Sequence, residues 1–234
     1  MYEFDISPKL FTSPTMDLYK PNIIQFESLD ILYKKFIELL TEKTLDISGE
    51  HGTARLGLSC TNTLNDIYKI LGKRGVFPFE EVEIYQLEEN INATTRQKTI
   101  IQLLTKENIK SARHSVFISP DDTVVADYNE VFDQFDDGEG LDICLLEIDK
   151  NGQVAGLSVD QDGLSGDSEN VIRNSDFVSL SMSMILKSKE IVCVMRDENE
   201  SIDEMLSGQK SAVEFPAKML LVHPKVTIFY YLDM

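Results

Sequence analysis

The chain has 234 residues, 42% of them hydrophobic, which is enough to bury a core without disulfide staples. Forty acidic residues against 22 basic ones give a formal net charge of −18, a field that repels nucleic acid and anionic lipid surfaces and excludes them as expected partners. No apolar run approaches the roughly 20 residues of a membrane span. The first residues, MYEFDISPKL, also lack the basic-then-apolar order of a signal peptide, so a soluble cytoplasmic protein is expected.

In chain order, residues 1–22 read as an irregular arm carrying Pro8, Pro14 and Pro21, and residues 23–234 as one α/β domain with no internal linker. A helix is expected directly after the arm, with Ile24, Leu32, Phe36, Leu39 and Leu40 near helical spacing. TARLGL then reads as a strand and NTLNDIYKIL as a helix with Asn62 or Thr63 as N-cap. EVEIYQL is a strand, TTRQKTIIQLL a helix opening on Thr94 or Thr95, and SVFIS a strand. PDDTVVADYNEVF follows as a helix with Pro120 in its first turn. LDICLLEI is a strand closed by the turn DKNG and a polar loop. The last third gives FVSLSM, a helix over MILKSKE, the strand IVCVM, a helix around SIDEML and the strand VTIFYYL. Near-continuous apolar strands alternating with helices predict a Rossmann-like, mainly parallel sheet covered by helices on both faces.

Cys60, Cys144 and Cys193 each sit in or beside an apolar run, with no CxxC, and read as small buried hydrophobes in a reducing compartment. His51 reads as an exposed loop residue, His114 precedes a strand, and His223 lies in a closing His-Pro segment. None has a metal-ligand spacing, and no metal or cofactor is expected. The stretch from Asp160 to Asp167 suggests a calcium loop but has Val171 at the twelfth position instead of glutamate, so it reads as a solvated acidic loop. Arg55, Lys150, Arg173, Arg196 and Lys210 are the cations considered for an anionic ligand; Lys150 and Arg173 stand nearest the turns that matter.

In an open α/β sheet ligands bind beyond the carboxyl ends of the strands, so the strand-to-helix turns LSCTNTLNDIY, YQLEENIN and LLEIDKNGQVAGL are the candidates. Together, in this order, they resemble the 6-phosphogluconolactonase / glucosamine-6-phosphate isomerase (deaminase) family. Leu58, Ser59, Thr63 and Tyr68 match its first turn; Tyr85, Glu88 and Glu89 stand in its aromatic–x–x–acid–acid turn. Leu145, Leu146, Gly152, Ala155 and Leu157 align with its third, and FPAKMLLVHPKVTIFYYLD is similar to its closing segment.

The resemblance implies a glucosamine-6-phosphate isomerase / ribose-5-phosphate isomerase type fold and a 6-phosphogluconolactonase-like function in sugar-phosphate (pentose phosphate) metabolism. The ligand would be a phosphorylated sugar or sugar lactone. Glu88 would act as base, Gln153 would position water, and Ser59, Cys60, Thr61, Asn62 and Thr63 would hold the phosphate. Asn90, Asn151, Gly152 and Arg173 complete the implied substrate contacts. Against the family pattern, Cys60 and Thr61 replace glycines, Gln153 replaces a histidine, Asn90 follows the acidic pair, and Asn199 falls where a lysine is expected. A glutamine amide cannot accept a proton near neutral pH. Three readings stand: a lactonase-like hydrolase; a catalytically lapsed member serving as sugar-phosphate sensor or protein-binding scaffold; and a deaminase-like isomerase. A solvated, idle Glu88–Glu89 pair is the plain alternative to a working base.

Overall fold

The computed structural model describes residues 18–73, 75–91, 95–118, 124–135, 139–158, 164, 169–173, 176–197 and 201–232. Ten strands and seven α-helices are described: β1 (Asn22–Phe26), α1 (Leu29–His51), β2 (Ala54–Leu58), α2 (Asn62–Leu71), β3 (Val82–Gln86), β4 (Glu88–Asn90), α3 (Thr95–Leu104), α4 (Lys106–Ser111) and β5 (His114–Val116). There follow α5 (Val124–Asp133), β6 (Ile143–Glu147), β7 (Val171–Arg173), β8 (Phe177–Leu180), α6 (Met182–Leu186), β9 (Glu190–Asp197), α7 (Ser201–Ser207) and β10 (Val226–Leu232).

Seven strands form one sheet in the order β1-β10-β9-β6-β2-β3-β5, and every neighbouring pair is parallel. Alternation along β6 shows how both faces are covered. Ile143 and Leu145 face a core shared with Leu32 and Phe36 of α1, Leu64 and Ile67 of α2 and Ile100 of α3. Cys144 and Leu146 face the opposite core, with Tyr128 and Phe132 of α5, Met184 and Ile185 of α6 and Met205 of α7. Cys144 and Cys193 are fully buried and free, as small hydrophobes. The expected parallel sheet with helices on both faces is the fold observed.

α1 buries Leu32, Phe36 and Leu40, spaced at i, i+4 and i+8, against β10, where Phe36 meets Phe229 edge-on at 5.2 Å between ring centroids. The helix stops at Gly52, whose φ of +85° closes the last turn with its N–H on the Ser48 carbonyl.

Several elements differ from expectation. Ile24 belongs to an edge strand, β1, because its backbone pairs with β10 before the helix begins at Leu29. His51 is the last residue of α1 and His114 the first of β5. The N-cap of α2 is Thr61 rather than Asn62 or Thr63. α6 ends at Leu186, short of the rest of MILKSKE. Pro120, Thr94, Asn199 and the stretch from Asp160 to Gly163 lie outside the described residues. β4, β8 and β7 form a second, antiparallel sheet in the order β4-β8-β7 that the sequence reading had as loop or as one strand.

Candidate functional site at the switch point of the sheet

The chain runs from β2 through α2 to β3 on one side, and returns later to place β6 on the other side of β2. The carboxyl ends of β2 and β6 therefore flank the switch point, where an open α/β sheet leaves a crevice. The turn Ser59–Thr63 follows β2, and the turn 149–153 follows β6.

Three carboxylates organise this end of the sheet. Glu88 and Glu89 are consecutive on β4, so they point to opposite faces of the strand. Both are fully buried, which replaces the reading of a solvated pair. Glu88 turns toward the β2 turn. Its Oε1 accepts from Ser59 Oγ at 2.8 Å and from the Cys60 N–H at 2.9 Å, and is ion-paired with Arg96. Its Oε2 has no hydrogen-bond partner. Burial pushes the Glu88 carboxyl above its ordinary range, with Arg96 and the Cys60 and Ser59 hydrogen bonds pulling the other way. Arg96 also donates to the Cys60 carbonyl at 3.2 Å and lies over the Phe177 ring at 4.8 Å, so β8 and α3 together hold the cation on Glu88.

Glu89 turns the other way and accepts from four donors: Gln86 Nε2 at 3.0 Å and the N–H groups of Asn90, Arg96 and Gln97 at 2.8, 3.1 and 2.7 Å. It is the N-terminal cap of α3. Glu147, at the end of β6, does the same for α2: the Thr63 N–H donates to Oε2 at 3.0 Å and Thr63 Oγ1 to Oε1 at 2.8 Å. Thr61, the nominal N-cap, makes no side-chain cap bond and its Oγ1 is buried without a partner.

Beyond β6, Asp149 Oδ1 accepts from the N–H groups of Asn151 and Gln153 at 2.8 and 2.9 Å, a tight turn that fixes the loop. Gly152 sits at φ +75°, and a Cβ there would fall 2.4 Å from the Phe215 ring, so this turn accepts only glycine. The next turn packs against β8: Ser179 Oγ donates to the Ala155 carbonyl at 2.5 Å.

Of the residues expected at a site, Ser59, Cys60 and Glu88 lie in one hydrogen-bonded group with Arg96, and Thr63 lies in a second with Glu147. Asn62 and Asn151 are exposed; Gln153 is half-buried in the Asp149 turn; Asn90 ends β4. Arg173 is exposed on β7, separated from β4 by β8. Arg55 lies at the opposite end of β2, paired with Glu139 at 2.8 Å. Arg96 and Glu147 were missed. Arg96 reads as one more polar residue of an amphipathic helix. Glu147 reads as the polar end of an apolar strand. Among the described residues no group of three or more His, Cys, Asp or Glu is disposed to hold a metal ion, and no helix is long and apolar enough to cross a membrane.

No family model matches the chain. Its fold is that of the 6-phosphogluconolactonases and glucosamine-6-phosphate deaminases. A 6-phosphogluconolactonase from Shewanella baltica superposes with a TM-score of 0.77 at 14% identity, covering 92% of this chain and 99% of that one. A monomeric glucosamine-6-phosphate deaminase of the NagB superfamily superposes with a TM-score of 0.73 at 17% identity, over 90% and 97% of the two chains. In sequence, a glucosamine-6-phosphate deaminase from Lysinibacillus sphaericus is 26% identical across 75% of this chain and 85% of its own length. In fold the chain is thus like the 6-phosphogluconolactonases and glucosamine-6-phosphate deaminases, the two kinds of protein that its turns resemble.

Proposed function

We propose that this chain is a cytoplasmic 6-phosphogluconolactonase-like protein whose catalysis has lapsed. The described residues from Asn22 onward act as one domain in this reading. One observation carries the reading: Glu88, the remaining carboxylate of catalytic type, is fully buried with Oε1 held by Ser59, Cys60 and Arg96. A base must reach the proton it removes, and this oxygen is spent on the protein itself. Gln153 cannot replace it as proton acceptor. Loss of a general base removes about 10²–10⁴-fold of rate.

A second reading, slow hydrolysis of a hexose 6-phosphate lactone, is favoured by one feature: Glu88 Oε2 is unpartnered and burial raises the basicity of the carboxylate. In that reading Ser59, Thr61 and Thr63 would face the sugar phosphate, and Asn90, Asn151 and Arg173 its periphery. Deamination of an amino sugar phosphate makes a heavier demand on proton transfer and ranks third. The discriminating experiment is hydrolysis of 6-phosphogluconolactone, read against the spontaneous rate, by the wild type and Glu88→Gln. Both at background supports lapsed catalysis. A wild-type rate well above background that Glu88→Gln abolishes would replace it with the lactonase reading.

A further inference from the structure

The N-terminus of the ten-residue helix α2 opens onto the switch point between β2 and β6. Backbone N–H groups and the helix dipole make such a position attractive to anions. Thr63 directs two donors to one place, its N–H and its hydroxyl, and both end on the two oxygens of a single carboxylate, that of Glu147. That side chain comes from the neighbouring strand, across the switch point, and does not cap the helix from within. The fork of two donors to two oxygens is the geometry in which an oxyanion would be held. A few residues back, the Cys60 N–H is likewise engaged by a carboxylate, Glu88.

We infer that Glu147 is a built-in occupant of the α2 cradle, an intramolecular contact that keeps free oxyanions of the phosphate type out of it. Two effects add. The donors are already satisfied, so an incoming anion gains nothing until it displaces the carboxylate. The carboxylate that it must displace stays tethered at the end of β6, where its charge opposes a second anion. Arg96, the cation of this group of side chains, is held on Glu88 and offers no compensation for displacing Glu147.

The inference concerns anion binding, not turnover, although it shares a site with the proposed function. The test uses the full chain at low ionic strength and inorganic phosphate as probe, reading the melting temperature and the Thr63 backbone amide resonance. In the wild type neither is expected to move. In Glu147→Ala the freed N–H should give a saturable amide shift and a melting temperature that rises with phosphate, with affinity at least about tenfold above wild type. Adding Thr63→Val should weaken that gain by removing one donor. Glu147→Gln keeps the volume and one acceptor oxygen, so it gives a smaller gain in the same direction, and it decides the matter should Glu147→Ala fail to fold. The inference is overturned if the wild type binds phosphate as tightly as the variants. It is equally overturned if folded variants show no saturable shift. Lactone hydrolysis by the wild type would remove the lapsed-catalysis reading and leave this inference standing, unless phosphate also moves Thr63.

Discussion

Glu89 accepts the backbone N–H of Gln97 at 2.7 Å, so a residue of a three-residue strand caps a helix that starts six positions later. The same carboxylate takes the N–H groups of Arg96 and Asn90 and the Gln86 amide. Removing it strands several buried donors at once. Glu89→Ala is expected to lower the unfolding free energy by about 2–4 kcal/mol, from one lost charged cap and the donors left without partners. Urea denaturation measures this. A loss under about 0.5 kcal/mol, the range of an ordinary surface substitution, would mean that water replaces the cap without penalty.

Arg96 and Glu88 form a pair in which the carboxylate is fully buried and the arginine side chain is half-buried. Breaking such a pair from one side leaves an uncompensated charge. Arg96→Met should therefore destabilise by about 3–5 kcal/mol at neutral pH, while the double variant Arg96→Met/Glu88→Gln recovers part of that loss. Equal stabilities of the single and double variants would show that Glu88 is not held as an ion in the wild type.

The pH dependence has a definite sign. Burial raises the folded-state pKa of Glu88 above its ordinary value. The folded protein then prefers the protonated form, and that preference is fully present below the ordinary carboxylate pKa and lost as pH rises through the raised one. The stability of Glu88→Gln relative to wild type should therefore improve as pH increases from about 4 to about 8. Paired urea melts across that range measure the difference. A difference that shifts toward the wild type with rising pH would mean that Arg96 and the hydrogen bonds outweigh burial.

Cys60 stands in the middle of the β2 turn and would be an obvious target for thiol reagents. Burial, followed by the nearby Glu88 charge, pushes its thiol up to about 12. Little thiolate is present at pH 8, and alkylation should run about 10³-fold slower than for a free cysteine. Glu88→Gln removes one of the raising causes and should speed it. Mass-spectrometric labelling kinetics would decide, and labelling of Cys60 at the rate of free cysteine contradicts the burial described.

Much of the fold could be read from patterns that depend on near neighbours. TARLGL, LDICLLEI and VTIFYYL are apolar on both faces, which is what a central parallel strand requires. β1 was absorbed into the following helix because Ile24 and Leu32 fit helical spacing as well as an edge strand does. The short strand β4 was invisible for a different reason: Glu88, Glu89 and Asn90 have no strand propensity, and only their pairing with Ser179, Val178 and Phe177 makes them a strand. The site was harder still. Burial of Glu88 depends on Arg96 and Phe177, and the role of Glu147 on Thr63, 84 residues earlier in the chain. Replacement of glycines by Cys60 and Thr61 signalled a changed site, whereas a carboxylate at the end of an apolar strand reads as ordinary punctuation.

The most direct test of the central claim is calorimetric titration of the wild-type chain with 6-phosphogluconate at low salt. With Glu147 on the N-terminus of α2 and Glu88 sealed by Arg96, no heat of binding is expected up to about 1 mM ligand, which places any affinity weaker than ~4 kcal/mol. Saturable binding with a dissociation constant near 1 μM, about 8 kcal/mol, would mean that the sugar-phosphate site is open and the account of a self-occupied switch point is wrong.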